Sequence, residues 1–353
     1  MSAITINTTK PNHFITTADY SAEQLLDLVD RAIKFKVESK YNYPEARTER
    51  PLVGKTVGLI FSKRSTRTRV ATETAVGYLE LVLTFFGLGG NAMFLGGQDI
   101  QLGVNESLYD TTHVVSSMVD AIMARVGGHD EIETLAKESA VPIINALSEK
   151  YHPTQILADL MTLHEYYHAK QNNVPAGVYS AHTQHPRETL KGLKVAWVGD
   201  ANNILQEILV AFPKCGISVS AACPTGYVCD QDVIDIAQAD AKKTGATVVF
   251  TTSPEEAVKD CDVIVTDTWV SMGQEEEKKK RIAEFAGFQV TSDLAKRGNA
   301  KSDWIFMHCL PRKPEEVDDE VFYSERSLVF PEAENRKWTI LAIIDALLVR
   351  GGI

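Results

Sequence analysis

Apolar residues recur along most of this chain in two alternating rhythms. At the start, SAEQLLDLVDRAIKFKVES (21–39) places Leu25, Leu28, Val29, Ala32 and Phe35 on one face, the spacing of an amphipathic helix. Short apolar runs then alternate with helix-like segments. VGLIF (57–61), AIMARV (121–126) and VPIINAL (141–147) predict strands, and HDEIETLAKES (129–139) predicts the helix joining the last two. QILADLMTLHEYYH (155–168) predicts one more helix. Runs that are apolar at every position fit parallel strands covered on both faces, so the pattern is a βα repeat.

Residues 169–192 are polar, carry Pro and Gly, and lack a stable period, which predicts a surface crossover between domains. The rhythm then restarts. KVAWVG (194–199), ISVSAAC (217–223), ATVVF (246–250), CDVIVTD (261–267) and WIFMHCL (304–310) predict strands. NNILQEILVAF (202–212), DVIDIAQADAKKTG (232–245), SPEEAVKD (253–260) and EEEKKKRIAEF (275–285) predict the helices between them. PEAENRKWTILAIIDALLV (331–349) keeps helix spacing through Trp338, Leu341, Ile344 and Leu348 while being apolar almost throughout from Ile340, so it predicts a buried helix. The expectation is an α/β protein of two doubly wound domains with central parallel sheets. The first spans 1–168 and is completed by a returning C-terminal helix in 331–353; the second spans 169–330.

Composition narrows the function. A chain of 353 residues has the length of two domains. Its formal charge of −11 gives no general attraction to nucleic acid or to an anionic membrane, so a bound anion needs a local exception. The five cysteines, at 215, 223, 229, 261 and 309, form no CxxC pair, and no metal or other cofactor is expected. An odd count in a well-cored chain fits a reducing compartment. MSAITINTTKPNHF at the start shows neither a signal-peptide core nor an Arg-rich presequence. The expected location is therefore cytoplasmic, with the mitochondrial matrix as the alternative for a processed or trimmed form. LELVLTFFGLGG (79–90) is too short to span a bilayer.

The local exception to the acidic field is FSKRSTRTR (61–69), where Lys63, Arg64, Arg67 and Arg69 alternate with Ser65, Thr66 and Thr68. It lies between an apolar run and a helical segment, where backbone N–H groups, guanidinium forks and hydroxyls can hold an anion together. The alternative is a charged helix start facing solvent. In VGDANN (198–203), which is neither GxGxxG nor a Walker pattern, Asp200, Asn202 and Asn203 either cap a helix or face an amino-acid ligand. In DTWVSMG (267–273), Asp267 is placed to receive an ammonium group, while Ser271, Met272 and Gly273 form a turn or a mobile loop. Cys309 in HCLPR (308–312) is a small buried hydrophobe or a reacting thiol. His308 is a poor base for it, because consecutive strand side chains face opposite ways. Arg125 ends AIMAR, and His152 sits in YHPTQ (151–155). Residue chemistry thus reaches a phosphate-bearing substrate on the first domain and an amino-acid-like one on the second.

Taken together, STRTR (65–69), ARV (124–126), HPTQ (152–155), DANN (200–203), DTWVSMG and HCLPR resemble ornithine carbamoyltransferases, over roughly residues 14–350. The resemblance implies two α/β domains, a homotrimer with active sites shared between subunits, and no metal. It implies transfer of the carbamoyl group of carbamoyl phosphate to the side-chain amine of L-ornithine, giving L-citrulline and phosphate, a reaction of arginine biosynthesis and the urea cycle. By resemblance Ser65, Thr66, Arg67 and Thr68 form the phosphate loop, and Arg125, His152 and Gln155 surround the carbamoyl phosphate. Gln101 reaches it from a neighbouring subunit, and Arg336 lies near the same pocket. Asn203, Asp267, Ser271 and Met272 match the ornithine site, with Cys309 and Leu310 facing the reacting nitrogen. Arg67, Arg125, His152, Asp267 and Cys309 are the expected catalytic set. The link between TET (72–74) and GGNAMFLG (89–96) is longer than the family pattern, which would extend the STRTR helix or bulge near a subunit boundary. The alternatives are carbamoyl transfer to another amine, such as putrescine, and a non-catalytic regulatory protein that keeps the fold.

Overall fold

The computed structural model describes residues 11–40, 52–63, 65–77, 90–97, 106–174, 184–270 and 277–353. Two parallel sheets organise it. In the first half, α1 (Ala22–Lys40) precedes β1 (Thr56–Phe61), α2 (Thr66–Val76), β2 (Asn91–Gly96), α3 (Leu108–Ser116), β3 (Ala121–Arg125), α4 (His129–Glu138), β4 (Ile143–Leu147) and α5 (Pro153–Asn172). The second half begins with α6 (Pro186–Leu190), β5 (Lys194–Val198), α7 (Asn203–Ala211), β6 (Ser218–Ala222) and α8 (Gln231–Thr244). It continues through β7 (Val248–Thr251), α9 (Pro254–Val258), β8 (Val263–Val265), α10 (Lys278–Glu284), α11 (Ser292–Arg297), β9 (Ile305–Met307) and α12 (Asp319–Phe322). α13 (Val329–Asp345) follows and continues as a π-helical turn, Ala346–Arg350.

The strand orders are β2-β1-β3-β4 and β7-β6-β5-β8-β9, with every pair parallel. Each sheet therefore reverses its winding once, between β1 and β3 in the first and between β5 and β8 in the second. Ligands of open α/β sheets collect beyond the carboxyl ends of strands at such reversals. The segments leaving β1, β3, β5 and β8 are STRTR, the loop after Arg125, GDANN and TDTW. After β5 the chain turns at Gly199 with φ +152°, where a side chain would meet Thr266 Oγ1 at 3.2 Å, so the turn needs glycine.

α13 leaves the second domain and packs between α1, α2 and α5 of the first. Ile340, Ala342, Ile343 and Ile344 are fully buried there, and each fully buried Ile contributes roughly 1.5–3 kcal/mol. Polar groups fix the register. Lys36 of α1 donates to both Glu165 oxygens at 2.8 and 2.9 Å and to Asn335 Oδ1 at 2.7 Å. Asn335 Nδ2 in turn donates to Glu165 Oε2 at 2.8 Å and to Thr162 Oγ1 at 2.9 Å. Arg31 pairs with Asp345 at 3.0 Å. The predicted return of the last helix to the first domain is the arrangement observed.

The two domains are also fastened at their base. Glu207 of α7 accepts from Thr17 N and Thr17 Oγ1, both at 2.6 Å, and from Thr16 Oγ1 at 3.1 Å. Lys214 donates to the carbonyls of Thr17, Ala18 and Tyr20 at 2.9, 3.3 and 2.9 Å.

Several elements differ from the pattern prediction. β2 and α3 were not among the predicted elements; β2 is an edge strand with exposed Asn91 and Met93, and so lacks the all-apolar signature of its neighbours. The expected crossover is shorter than 169–192: α5 runs to Asn172 and stops where Asn173 takes a left-handed φ of 50°, and α6 occupies 186–190. α2 ends at Val76, with Gly77 N–H donating to Glu73 O. Most of the long link that follows lies outside the described residues. The last strand stops at Met307, because His308 N–H turns to Glu332 Oε2 at 3.0 Å instead of continuing the ladder.

Candidate active site

β1 delivers the chain to Ser65, whose side chain caps α2 by accepting from Thr68 N at 3.4 Å. The basic stretch is thus the first turn of a helix, with its free N–H groups and positive dipole end at the mouth of the sheet. Arg67 projects across the domain boundary and donates to the carbonyl of Leu310. Arg69 does not share this direction: it pairs with Glu73 at 2.8 Å and lies over the Phe94 ring at 3.8 Å. Only part of the charged stretch therefore serves the cleft.

Two further guanidinium groups converge from behind. Arg125, at the end of β3, is buried and its Nε has no hydrogen-bond partner among the described residues. Arg336, from α13, is 2 % exposed and donates to Gln155 Oε1 at 2.7 Å, Thr154 Oγ1 at 3.2 Å and Thr68 Oγ1 at 3.3 Å. Burial, and then the Arg67 charge, pull Arg125 down to about 10. Burial also pulls Arg336 down to about 10, with Arg125 and Arg67 adding to it. His152, at the head of α5, is held well below its ordinary value by burial and then by Arg336, Arg125 and Arg67, so its imidazole is neutral. Three cations that disfavour one another in a buried space create strong demand for an anion.

The opposite wall carries Asp267 and Asp200. Asn202 caps α7, accepting from Ile204 N at 3.0 Å, and its amide donates to Asp267 Oδ2 at 2.8 Å. Cys309 Sγ donates to Asp267 Oδ1 at 3.0 Å. Burial first, then Asp267, raise the Cys309 thiol well above its ordinary value, so it remains protonated. This excludes the thiolate-nucleophile alternative. Asn203 Nδ2 donates across the boundary to Ser148 O at 2.7 Å. Asp200 pairs with Arg281, whose Nε donates to Trp269 O at 2.6 Å, and burial raises the Asp200 carboxyl to about 6.

Between these walls is a cleft of about 960 Å³. Ser65, Thr66, Arg67, Thr68, Arg125 and His152 reach it from the first domain, and Asn203, Asp267, Cys309 and Leu310 from the second. Arg336 closes its floor. Gln155 is not on the wall but behind Arg336, which it orients. Gln101, Ser271 and Met272 lie outside the described residues. Arg281 and Lys313 also line the cleft and were not singled out from the sequence. Arg281 is the last residue of a KKKR run, and nothing in that run distinguishes it from its solvated neighbours. Asp267, His308 and Cys309 place ligand-type atoms within 4.8 Å of one another.

Two doubly wound domains facing each other across a cleft, with three guanidinium groups on one side and the Asp267–Cys309 pair on the other, have the form of a two-substrate enzyme. The family model for the aspartate/ornithine carbamoyltransferase carbamoyl-P binding domain matches residues 12–165, and that for the Asp/Orn binding domain matches 191–347. The chain is 51% identical over 345 residues to the mitochondrial ornithine carbamoyltransferase of Coccidioides immitis, covering 97% of this chain and 94% of that protein. It is 47% identical over 344 residues to the one of Schizosaccharomyces pombe, covering 97% and 96%. A crystal structure of the Coccidioides immitis enzyme superposes with a TM-score of 0.82 at 47% identity, covering 97% of this chain and 99% of that one. The Pyrococcus furiosus ornithine carbamoyltransferase does so at 0.82 and 41%, covering 99% and 100%. The chain belongs to the aspartate/ornithine carbamoyltransferase family. One expectation is overturned by these relatives: those of Coccidioides immitis, Emericella nidulans and Schizosaccharomyces pombe are mitochondrial proteins, against the cytoplasmic location expected from the N-terminal residues.

Proposed function

We propose that this chain is an ornithine carbamoyltransferase, transferring the carbamoyl group of carbamoyl phosphate to the side-chain amine of L-ornithine and releasing L-citrulline and phosphate. The observation that carries it is the split cleft: three guanidinium groups and a helix start on one domain, and an Asp–thiol pair on the other. The relatives named above are enzymes of this substrate pair, and they support a mitochondrial matrix location.

In this reading Ser65, Thr66, Arg67 and Thr68 take the phosphate, with Arg125 and Arg336 beneath it. The leaving phosphate gains negative charge as its bond to the carbamoyl carbon breaks, and fixed buried cations favour that change more than water would. His152 is neutral, so it supplies a hydrogen bond, not a proton, to the carbamoyl oxygen as the tetrahedral intermediate forms. Gln155 acts through Arg336. The ornithine amine attacks only when unprotonated; Asp267, steadied by Asn202 and Cys309, orients it and offsets the positive charge that grows on nitrogen as the C–N bond forms, and the proton that nitrogen then sheds leaves in net balance with the released phosphate. Asn203, Ser271 and Met272 complete the amino-acid site, and Leu310 faces the reacting nitrogen. Most of the acceleration comes from orientation and charge placement, with no covalent enzyme intermediate. The carbamoyl phosphate domain comprises 1–168 with 331–353, the ornithine domain 169–330, and Gln101 serves a neighbouring subunit's site within a homotrimer.

Comparing product formation from ornithine and from putrescine at matched concentrations tests the assignment. Faster use of putrescine refutes the substrate, and binding of carbamoyl phosphate without citrulline formation under saturating ornithine refutes the activity.

A further inference from the structure

Behind the phosphate side of the cleft lies a pair of buried acids that the mechanism above does not use. Asp159 of α5 and Glu332 of α13 are 3 % and 1 % exposed, and their carboxyls are in hydrogen-bond contact with each other. Gln155 Nε2 has two hydrogens, and both are taken: one goes to Asp159 Oδ1 at 2.8 Å, the other to Glu332 Oε1 at 2.7 Å. Only Gln155 Oε1 is then left to face Arg336, whose Nη1 it receives at 2.7 Å. Arg336 Nη2 goes on to the hydroxyls of Thr154 and Thr68, the latter in the phosphate loop.

The other Glu332 oxygen accepts His308 N–H at 3.0 Å. His308 Nδ1 accepts Leu310 N–H at 2.8 Å, and the Leu310 carbonyl receives Arg67. One chain of contacts therefore runs from Arg67 through the HCLPR segment, Glu332, Gln155 and Arg336 back to Thr68. It closes on the helix where it began; Asp159 joins it at Gln155, and a third buried acid, Glu316, faces His308 Nε2 at 3.3 Å.

We propose that Asp159 and Glu332 are positioning residues for the carbamoyl phosphate site, a carboxyl pair that shares one proton and so fixes which end of the Gln155 amide faces Arg336. The inference rests on the function proposed above. Two touching carboxyls in a buried site cannot both be ionised, and burial raises both of them above the ordinary carboxylate range. Lone-pair bookkeeping locates the proton. Both Glu332 oxygens already accept N–H donors, whereas among the described residues only one Asp159 oxygen does, which leaves the other to carry O–H toward Glu332. The charged and titratable groups around the pair are Arg336 on α13, Asp267 after β8, His308 and Cys309 after β9, and His152 at the head of α5. Farther along the α5–α13 contact, Lys36 and Glu165 are paired with each other.

The placement predicts an asymmetry between two isosteric variants. Asp159→Asn replaces the O–H donor with N–H and keeps an oxygen for Gln155. Glu332→Gln leaves one carbonyl oxygen for two N–H donors and turns an NH₂ toward one of them. The probe is inorganic phosphate, titrated calorimetrically into the purified full chain, with KM for carbamoyl phosphate measured alongside. Asp159→Asn is expected to bind phosphate within about threefold of the unaltered chain, and Glu332→Gln about tenfold more weakly or worse, with KM following and kcat changing less. A gap between the variants below about fivefold, a reversed order, or no phosphate binding by the unaltered chain overturns the proposal. If Glu332→Gln does not fold, the pH profile decides. As pH rises above the ordinary carboxylate range the unaltered chain loses phosphate affinity, because the shared proton leaves and the two carboxylates repel, while Asp159→Asn has no such proton to lose. Parallel profiles overturn the pair. An unaltered chain that binds phosphate but forms no citrulline overturns the function alone.

Discussion

Replacing Arg67 with alanine separates ligand binding from folding. Among the described residues Arg67 makes one hydrogen bond, to the Leu310 carbonyl, and it stands among Arg125 and Arg336, whose charged forms it disfavours. Removing it costs the fold one charge-assisted hydrogen bond, about 1.5–3 kcal/mol at most for a half-buried group. The same change relieves repulsion on two buried guanidinium groups, so the two effects offset and stability shifts by no more than about 1 kcal/mol. Binding behaves differently. A desolvated cation facing phosphate contributes about 2–5 kcal/mol, which corresponds to a loss of affinity of roughly thirtyfold to several thousandfold. Phosphate and carbamoyl phosphate titrations on the variant, with urea unfolding of the same preparation, read both quantities. Unchanged affinity in a folded Arg67→Ala chain refutes the phosphate assignment and leaves Arg67 as a solvent-facing helix start. A stability loss above about 1.5 kcal/mol refutes the offset between the hydrogen bond and the relieved repulsion.

His164 is held down to about 3, by burial and then by His168. The unfolded chain takes up this proton first as pH falls below about 6.5, so the folded state loses stability progressively from there downward. The urea midpoint should fall less steeply between pH 6.5 and 4.5 in His164→Gln than in the unaltered chain; equal slopes refute the linkage. The shared site is tested by complementation: Arg67→Ala and Gln101→Ala, each inactive, are unfolded together and reassembled, and mixed trimers are confirmed by mass. Citrulline formation above either parent is expected, and none in confirmed mixed trimers refutes a Gln101 contribution from the neighbour.

Strands such as VGLIF and KVAWV were legible because both of their faces are buried, which leaves an unbroken apolar run in the sequence. β2 was not, because Asn91 and Met93 are exposed on the sheet edge and dilute that signal. Of the cleft, what a strand end and its following turn supply was readable from local residues: STRTR, Arg125, Asp267 and Cys309. What only a long-range approach supplies was not. Gln155 looks like a ligand residue in HPTQ, yet it faces Arg336, 181 positions away. Arg281 turns inward only because Asp200, 81 positions away, is buried opposite it. The cytoplasmic location was read from the composition of residues 1–14 alone, and it is the mitochondrial relatives that overturn it.

The position of α13 sets an order of events during synthesis. The STRTR segment is made early in synthesis, but Arg336, Glu332 and the helix that covers α1 and α5 come with the last part of the chain. The second domain, whose parallel sheet is complete by Met307, emerges before the first can close over its core. A nascent chain halted anywhere before α13 therefore carries an uncovered apolar groove along α1 and α5, with Lys36 and Glu165 lacking Asn335 between them. In the function proposed above, the carbamoyl phosphate site is complete only when synthesis has passed Arg336.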